Sequence, residues 1–245
     1  MPFVSVTRVR VVASAATVAL LALVSGMRAQ SAGPAAIVTR GPATCKAVAL
    51  TFDLCPVTSG AGFDRELVTF LERNRIHATF FASGAWMTRH DAELRELLAQ
   101  PFFEIGTHGQ AHAHMKTQSL AAQREEIAGA VRLLADHAHR APTLFRPPYG
   151  EYNADTLSAA GAEGQTVVMW SVVSGDPDPK LPAAAIEDDA VARARNGSVI
   201  IFHANGRGWK TKDTVPEVYR RLSARGLGLL TVSELTGGCR AGTED

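Results

Sequence analysis

The sequence predicts an α/β fold, a (β/α) barrel of about seven strands. Two observations carry this. Short apolar runs of strand length alternate with stretches of helical length along most of the chain, the rhythm of βαβ units and parallel strands. Ionisable residues also stand just after successive apolar runs, where the strand ends of such a barrel hold its chemistry.

Residues 47–52 (AVALTF) read as the first strand and are followed by an amphipathic stretch over 64–74. Residues 78–82 (ATFFA) read as the second strand, with a helix expected over 91–100. A strand at 102–106 leads to a long helix from Ser119 to about Ala138, where Ser119 and Gln123 flank the start like a cap. Then come a strand at 143–145, a helix near 153–160 and a strand at 166–170. A helix within 183–195, a strand at 198–203, a helix near 215–225 and a strand at 227–232 complete the pattern.

Composition narrows the function. The chain has 245 residues, 46% of them hydrophobic, and a net charge of +1. That balance gives no general attraction to nucleic acid, and the apolar content argues against disorder. Arg8 and Arg10 precede an apolar run over 11–24, with small residues at its exit. A basic start, a short apolar run and a small-residue exit read as a secretory signal over 1–29, with an uncleaved anchor as the competing reading. The run is short for a membrane span, so the mature chain is expected to have none. It would be secreted or periplasmic, and mildly acidic because the signal holds Arg8, Arg10 and Arg28 and no acids. Residues 30–44 read as a loose leader and 45–240 as the folded domain. In an oxidising compartment disulfides persist. Three cysteines allow three pairings, of which Cys45 with Cys239 would tie the two ends.

The candidate chemistry lies at the strand ends. His108 and His112 are four apart in THGQAHAH; on a helix they would share a face and could reach one divalent ion. Asp53 ends AVALTFD, a place suited to a general base beside a metal. Arg146 opens FRPPYG, where Pro147 and Pro148 stiffen a loop that could orient a carboxylate. His203 ends SVIIFH and becomes a general acid if a carboxylate such as Asp176 tunes it. Each has a plainer reading alone: solvated loop histidines, a capping aspartate, a surface arginine, a core histidine.

Taken together, the order TFD, HxxxH, RPPYG, WSxxxxD and IxH resembles the polysaccharide deacetylase (NodB-homology) family of carbohydrate esterases, from about Ala47 to Leu235. The resemblance implies a distorted (β/α) barrel and an exported deacetylase that hydrolyses acetyl groups, N-acetyl above all, of a glycan such as peptidoglycan or a chitin-like polymer. It implies a divalent metal, zinc first, held by His108 and His112. Asp53 takes the role of base, Arg146 braces it, His203 is the acid and Asp176 tunes that acid. Tyr149 contributes an oxyanion N–H, Trp170 lines the groove and Ile201 shapes the acetyl-methyl pocket.

The pattern is broken in places. The first motif usually reads TFDDG, its second Asp binding metal; here it reads TFDLCP, and Leu54 cannot bind metal. Gly109 and Val173 also depart from the usual residues. Asp64 is the first candidate replacement ligand, then His114, then Cys55. Two histidines with added water, or a non-catalytic glycan-binding domain of the same fold, are the other readings. A Ser/His/Asp hydrolase is disfavoured, because no GxSxG elbow occurs and Ser174 is not one. Arg207 and Trp209, in the segment after His203, are candidate sugar contacts.

Overall fold

The computed structural model describes residues 33–58 and 61–240 and, of the first 32, only Met1 and Phe3. The expected signal segment 1–29 therefore lies outside the described residues. The strands are β1 (Ile37–Val38), β2 (Ala47–Leu54), β3 (Ala78–Ala82), β4 (Phe103–Thr107), β5 (Leu144–Phe145), β6 (Thr166–Val168), β7 (Val172–Val173), β8 (Val199–His203) and β9 (Gly228–Leu229). They form one sheet in the order β1-β6-β5-β4-β3-β2-β8-β7, with β9 beside β2. Every ladder is parallel. The helices are α1 (Arg65–Arg73), α2 (Gly84–Arg89), α3 (Asp91–Leu98), α4 (Leu120–Ala138), α5 (Ala154–Ala162), α6 (Ala183–Arg193), α7 (Thr211–Ala224) and α8 (Val232–Thr236). The path is open between β1 and β7, so the barrel is distorted as expected. Residues after β1 reach the start of β8 through an Arg40–Ser198 bridge and a Gly41 N–H to Gly197 carbonyl bond of 2.8 Å.

The central strand shows why the site forms where it does. All eight residues of β2 are buried, as a parallel strand covered on both faces requires. Side chains alternate. Val48, Leu50, Phe52 and Leu54 enter the large apolar cluster that also holds residues of α1, α2, α3, α6 and α7. Ala47 and Ala49 belong to a separate cluster, and the same alternate set continues to Asp53. Phe52 stacks with Phe80 and Phe202 of the flanking strands at centroid distances of 5.3 and 5.9 Å. In register, Asp53 stands opposite His203 on one side and Phe81 on the other. Thr107 stands opposite Ala82 and Phe145, which brings the following residues, His108 and Arg146, to the same end of the sheet.

Several elements differ from expectation. The leader is ordered in part: Ile37–Val38 forms β1 and pairs with β6, because the short apolar stretch supplies an edge for that strand. Helix α2 interrupts the expected connection after β3, started by the Ser83 side chain accepting from the Trp86 N–H at 3.3 Å. Helix α7 begins at Thr211, earlier than the expected 215, and carries Pro216 within it. The final strand is only two residues long, and Thr231 with Glu234 then makes a capping box that opens α8. Ser119 caps α4 as expected, accepting from the Ala122 N–H at 3.3 Å, while Gln123 is buried and accepts from the Thr156 hydroxyl at 2.5 Å. Cys45 and Cys239 form a disulfide with Cα atoms 5.5 Å apart. Among the described residues no helix is long and apolar enough to cross a membrane.

Candidate active site

The strand-end residues meet around one cavity of about 200 Å³. Asp53, His108, His112, Tyr149, Trp170, Asp176, Ile201 and His203 all line it, as does Arg207. Arg146 sits behind that lining, fully buried. Its Nη1 donates to Asp53 Oδ1 at 2.8 Å, its Nε to the Val168 carbonyl at 3.2 Å and its Nη2 to the Met169 carbonyl at 3.4 Å. The guanidinium also lies over the Phe81 ring at 4.1 Å. Burial alone would raise the Asp53 carboxyl, but the charges of Arg146, His108 and His203 outweigh it and hold Asp53 below the ordinary carboxylate range. Burial pulls Arg146 down from its usual value, yet a guanidinium keeps its charge, so the pair is ionised.

The histidine pair converges by a route other than a helix. Residues 108–114 are irregular, and the next helical turn begins at Met115. Gly109 (φ 72°) and His112 (φ 63°) are left-handed, and these two turns fold the segment back so that the rings meet at 4.8 Å. Holding a non-glycine residue there costs about 1 kcal/mol or more, the kind of strain that collects at functional sites. His108 Nδ1 donates to the Arg146 carbonyl at 2.7 Å. That fixes the tautomer of the neutral ring: once His108 is deprotonated, as metal binding requires, its lone pair lies on Nε2, 3.5 Å from Asp53 Oδ2.

His203 and Asp176 form the opposite wall. His203 Nδ1 lies 3.1 Å from Asp176 Oδ1, and the His203 backbone N–H donates to Oδ2 at 2.7 Å. Ser174 and Thr211 donate to the same carboxylate at 2.9 and 2.6 Å. Burial opposes protonation of His203, but hydrogen bonds to Asp176 and Cys55 and the nearby carboxylates push it up to about 10. The sequence reading missed Ser174 and Thr211 as supports. Ser174 had a signal in its position two residues before Asp176, where a hydroxyl can bond back locally; Thr211 had none.

The structure reorders the candidates for the ligand missing at Leu54. Asp64 caps α1, accepting from the Leu67 N–H at 3.1 Å, and lies in a neighbouring cavity with Trp209 and Lys212. The ring of His114 stacks on Tyr149 at 3.9 Å and pairs with Glu151. Cys55 is buried with His108 and His112, their ligand atoms all within 4.8 Å of one another. Burial would raise its thiol, but hydrogen bonds to His108, His112 and His203 hold it well below the usual value. Tyr149 is left-handed (φ 59°) and half-exposed. Beside it Gly150 (φ 69°) has no room for a side chain, since a Cβ would stand 2.8 Å from the Trp170 ring. Arg207 and Trp209 divide between the two cavities.

A braced aspartate, an Asp-paired histidine and a His–His–Cys cluster thus meet at the strand ends of a parallel, incompletely closed α/β barrel. The polysaccharide deacetylase family model matches residues 40–168, and the chain belongs to that family. It is 32% identical over 183 residues to a bifunctional xylanase/xylan deacetylase of Cellvibrio japonicus, covering 74% of this chain and 26% of that protein. It is 26% identical over 197 residues to the peptidoglycan-N-acetylglucosamine deacetylase PgdA of Listeria monocytogenes, covering 79% of this chain and 40% of that one. The chain thus spans a quarter to under half of the length of these two relatives. Among solved structures it resembles BA3943, a CE4 family pseudoenzyme from Bacillus anthracis, with a TM-score of 0.74 and 21% identity over 82% of this chain and 68% of that one. At that identity the likeness concerns the fold.

Proposed function

We propose that this chain is an exported, metal-dependent deacetylase that hydrolyses acetyl groups, N-acetyl above all, of a glycan such as peptidoglycan or a chitin-like polymer. The observation that carries the reading is the pairing of Asp53, braced by Arg146, with His203, held by Asp176, around one cavity that also contains the histidine cluster. The donors suit a zinc ion: two imidazoles, one with its tautomer fixed by the Arg146 carbonyl. Such an ion, held by His108 and His112, would supply Lewis-acid polarisation of the acetyl carbonyl and acidify the attacking water. Asp53, kept ionised by its cation, takes the proton of that water. The Tyr149 N–H donates to the oxyanion as it forms. His203, protonated at neutral pH, gives its proton to the leaving amine, which is too poor a leaving group without one. Trp170 and Ile201 enclose the acetyl group. Export is supported by the disulfide and by the signal read over 1–29.

The second reading, a non-catalytic glycan-binding domain, rests on Leu54. It leaves the braced Asp53 and paired His203 without work. The test is acetate release by purified protein from chitin oligomers, peptidoglycan and acetylxylan, with and without chelator. Chelator-sensitive release that is lost in Asp53→Asn supports the proposal. No release from any of the three by zinc-loaded protein, with glycan binding that survives both chelation and Asp53→Asn, refutes it.

A further inference from the structure

Alternation along β2 decides which residue after Asp53 can face the histidines. Side chains two apart share a face of a strand. Leu54 falls on the face of Phe52 and is fully buried in the apolar cluster with Leu67, Trp86 and Met87. Cys55 is two residues beyond Asp53 and returns to its side, where both line the same cavity.

The backbone around this thiol is pinned. The Leu54 carbonyl accepts from the Ser83 N–H at 3.2 Å and the Ser83 hydroxyl at 3.1 Å. The Cys55 carbonyl accepts from Asn205 Nδ2 at 2.7 Å, and Asn205 is itself buried. The Asp53 carbonyl accepts from the Ala204 N–H at 3.2 Å. Residues just past β3 and β8 therefore hold the backbone on both sides of Cys55. Sγ and the two imidazoles are already within 4.8 Å, and a tetrahedral zinc with ligands at about 2.0–2.3 Å needs donors only about an ångström closer.

We infer that Cys55 is the third protein ligand of the metal, making a His–His–Cys site in place of one completed by a carboxylate. The inference rests on the metal-dependent reading above. A thiolate is a soft donor, so the site selects zinc and cobalt over magnesium, calcium and manganese, which favour oxygen. Binding releases to solvent the protons that the thiol and the two ligating imidazole nitrogens carry. A thiolate already held by metal is also shielded from alkylation.

Cobalt(II) offers a direct readout on the whole protein. Cys45 and Cys239 are joined to each other, leaving Cys55 as the free thiol. A thiolate-to-cobalt charge-transfer band in the near ultraviolet therefore reports this residue alone. Cobalt titrated into chelator-stripped protein is expected to produce the band, and Cys55→Ser to abolish it. Zinc affinity of Cys55→Ser is expected to fall by more than about 100-fold, since losing even a partner of a ligand costs about 10–100-fold. Iodoacetamide should label Cys55 in stripped protein and not in zinc-loaded protein. Circular dichroism of Cys55→Ser and Cys55→Ala establishes that the variants fold.

Cobalt bound without the band, or zinc affinity of a folded Cys55 variant within threefold of wild type, overturns the inference. Equal alkylation with and without zinc also overturns it. If acetate release remains metal-dependent in those cases, the deacetylase reading stands and only the role of Cys55 falls. If the protein binds no metal, both fail.

Discussion

Removing the brace from Asp53 gives a prediction that does not depend on substrate. In Arg146→Met the buried carboxylate loses a 2.8 Å charge-assisted bond, and the Val168 and Met169 carbonyls lose their donors. Breaking a buried ion pair by deleting one partner typically costs about 3–5 kcal/mol, because a charge is left uncompensated. Neutralising the survivor removes most of that penalty, so Asp53→Asn/Arg146→Met should lose less than the two single variants summed, with a coupling of about 2 kcal/mol. The pH dependence has a definite sign. In the wild type, Asp53 titrates below its unfolded value, so its contribution is present above that value and lost as the pH falls through the folded one. In Arg146→Met the largest attractive charge is gone while burial remains, which raises the carboxyl and makes acid relieve the variant. The gap between wild type and variant should therefore narrow from pH 7 toward pH 4. Urea unfolding of metal-stripped protein at both pH values measures this. A gap below about 1 kcal/mol at pH 7, or strict additivity in the double variant, would refute the account of Arg146 as the brace.

Asp176→Asn removes the carboxylate that raises His203. A general acid works only while protonated, so the alkaline limb of the pH–rate profile should move toward lower pH; an unmoved limb excludes His203 as the group it reports. The Cys45–Cys239 disulfide spans 194 residues, and loop-closure entropy assigns such a link about 5 kcal/mol. Reduction should lower the urea midpoint accordingly, and a loss under about 1 kcal/mol would show that the link does little to the unfolded chain.

Much of the fold was legible because its signals are local. Residues 78–82 (ATFFA) combine two aromatic rings with a β-branched threonine and form β3 at those bounds, and Ser119 announces the start of α4. Strand-end polar residues could be read as one set because parallel strands bring their carboxyl ends to one side. What escaped depends on tertiary partners. Strands β1 and β7 have two residues each and exist only where a neighbour's backbone groups receive them. Helix α2 has six residues, too few for a periodic signal. The histidine spacing suggested a helix, whereas left-handed residues 109 and 112 bring the rings together, and nothing in a spacing of four separates those routes. Asp64 drew attention because it ends the βα-loop that follows Leu54, but its Oδ1 caps the first turn of α1. The two-residue step from Asp53 to Cys55 was visible in the sequence; its meaning required knowing that the strand continues through Leu54.

The phenylalanine row behind the site has a consequence for fidelity. Phe52, Phe80 and Phe202 occupy the helix-facing side of three adjacent strands while Asp53 and His203 follow them by one residue. A one-residue slip of β2 would exchange the faces, setting a carboxylate among aromatic rings and a ring among the polar groups. No half-correct alignment exists between those states. The aromatic row thus acts as a proofreading device: a chain that has packed these three rings together has, by the same act, aligned its acid and its base.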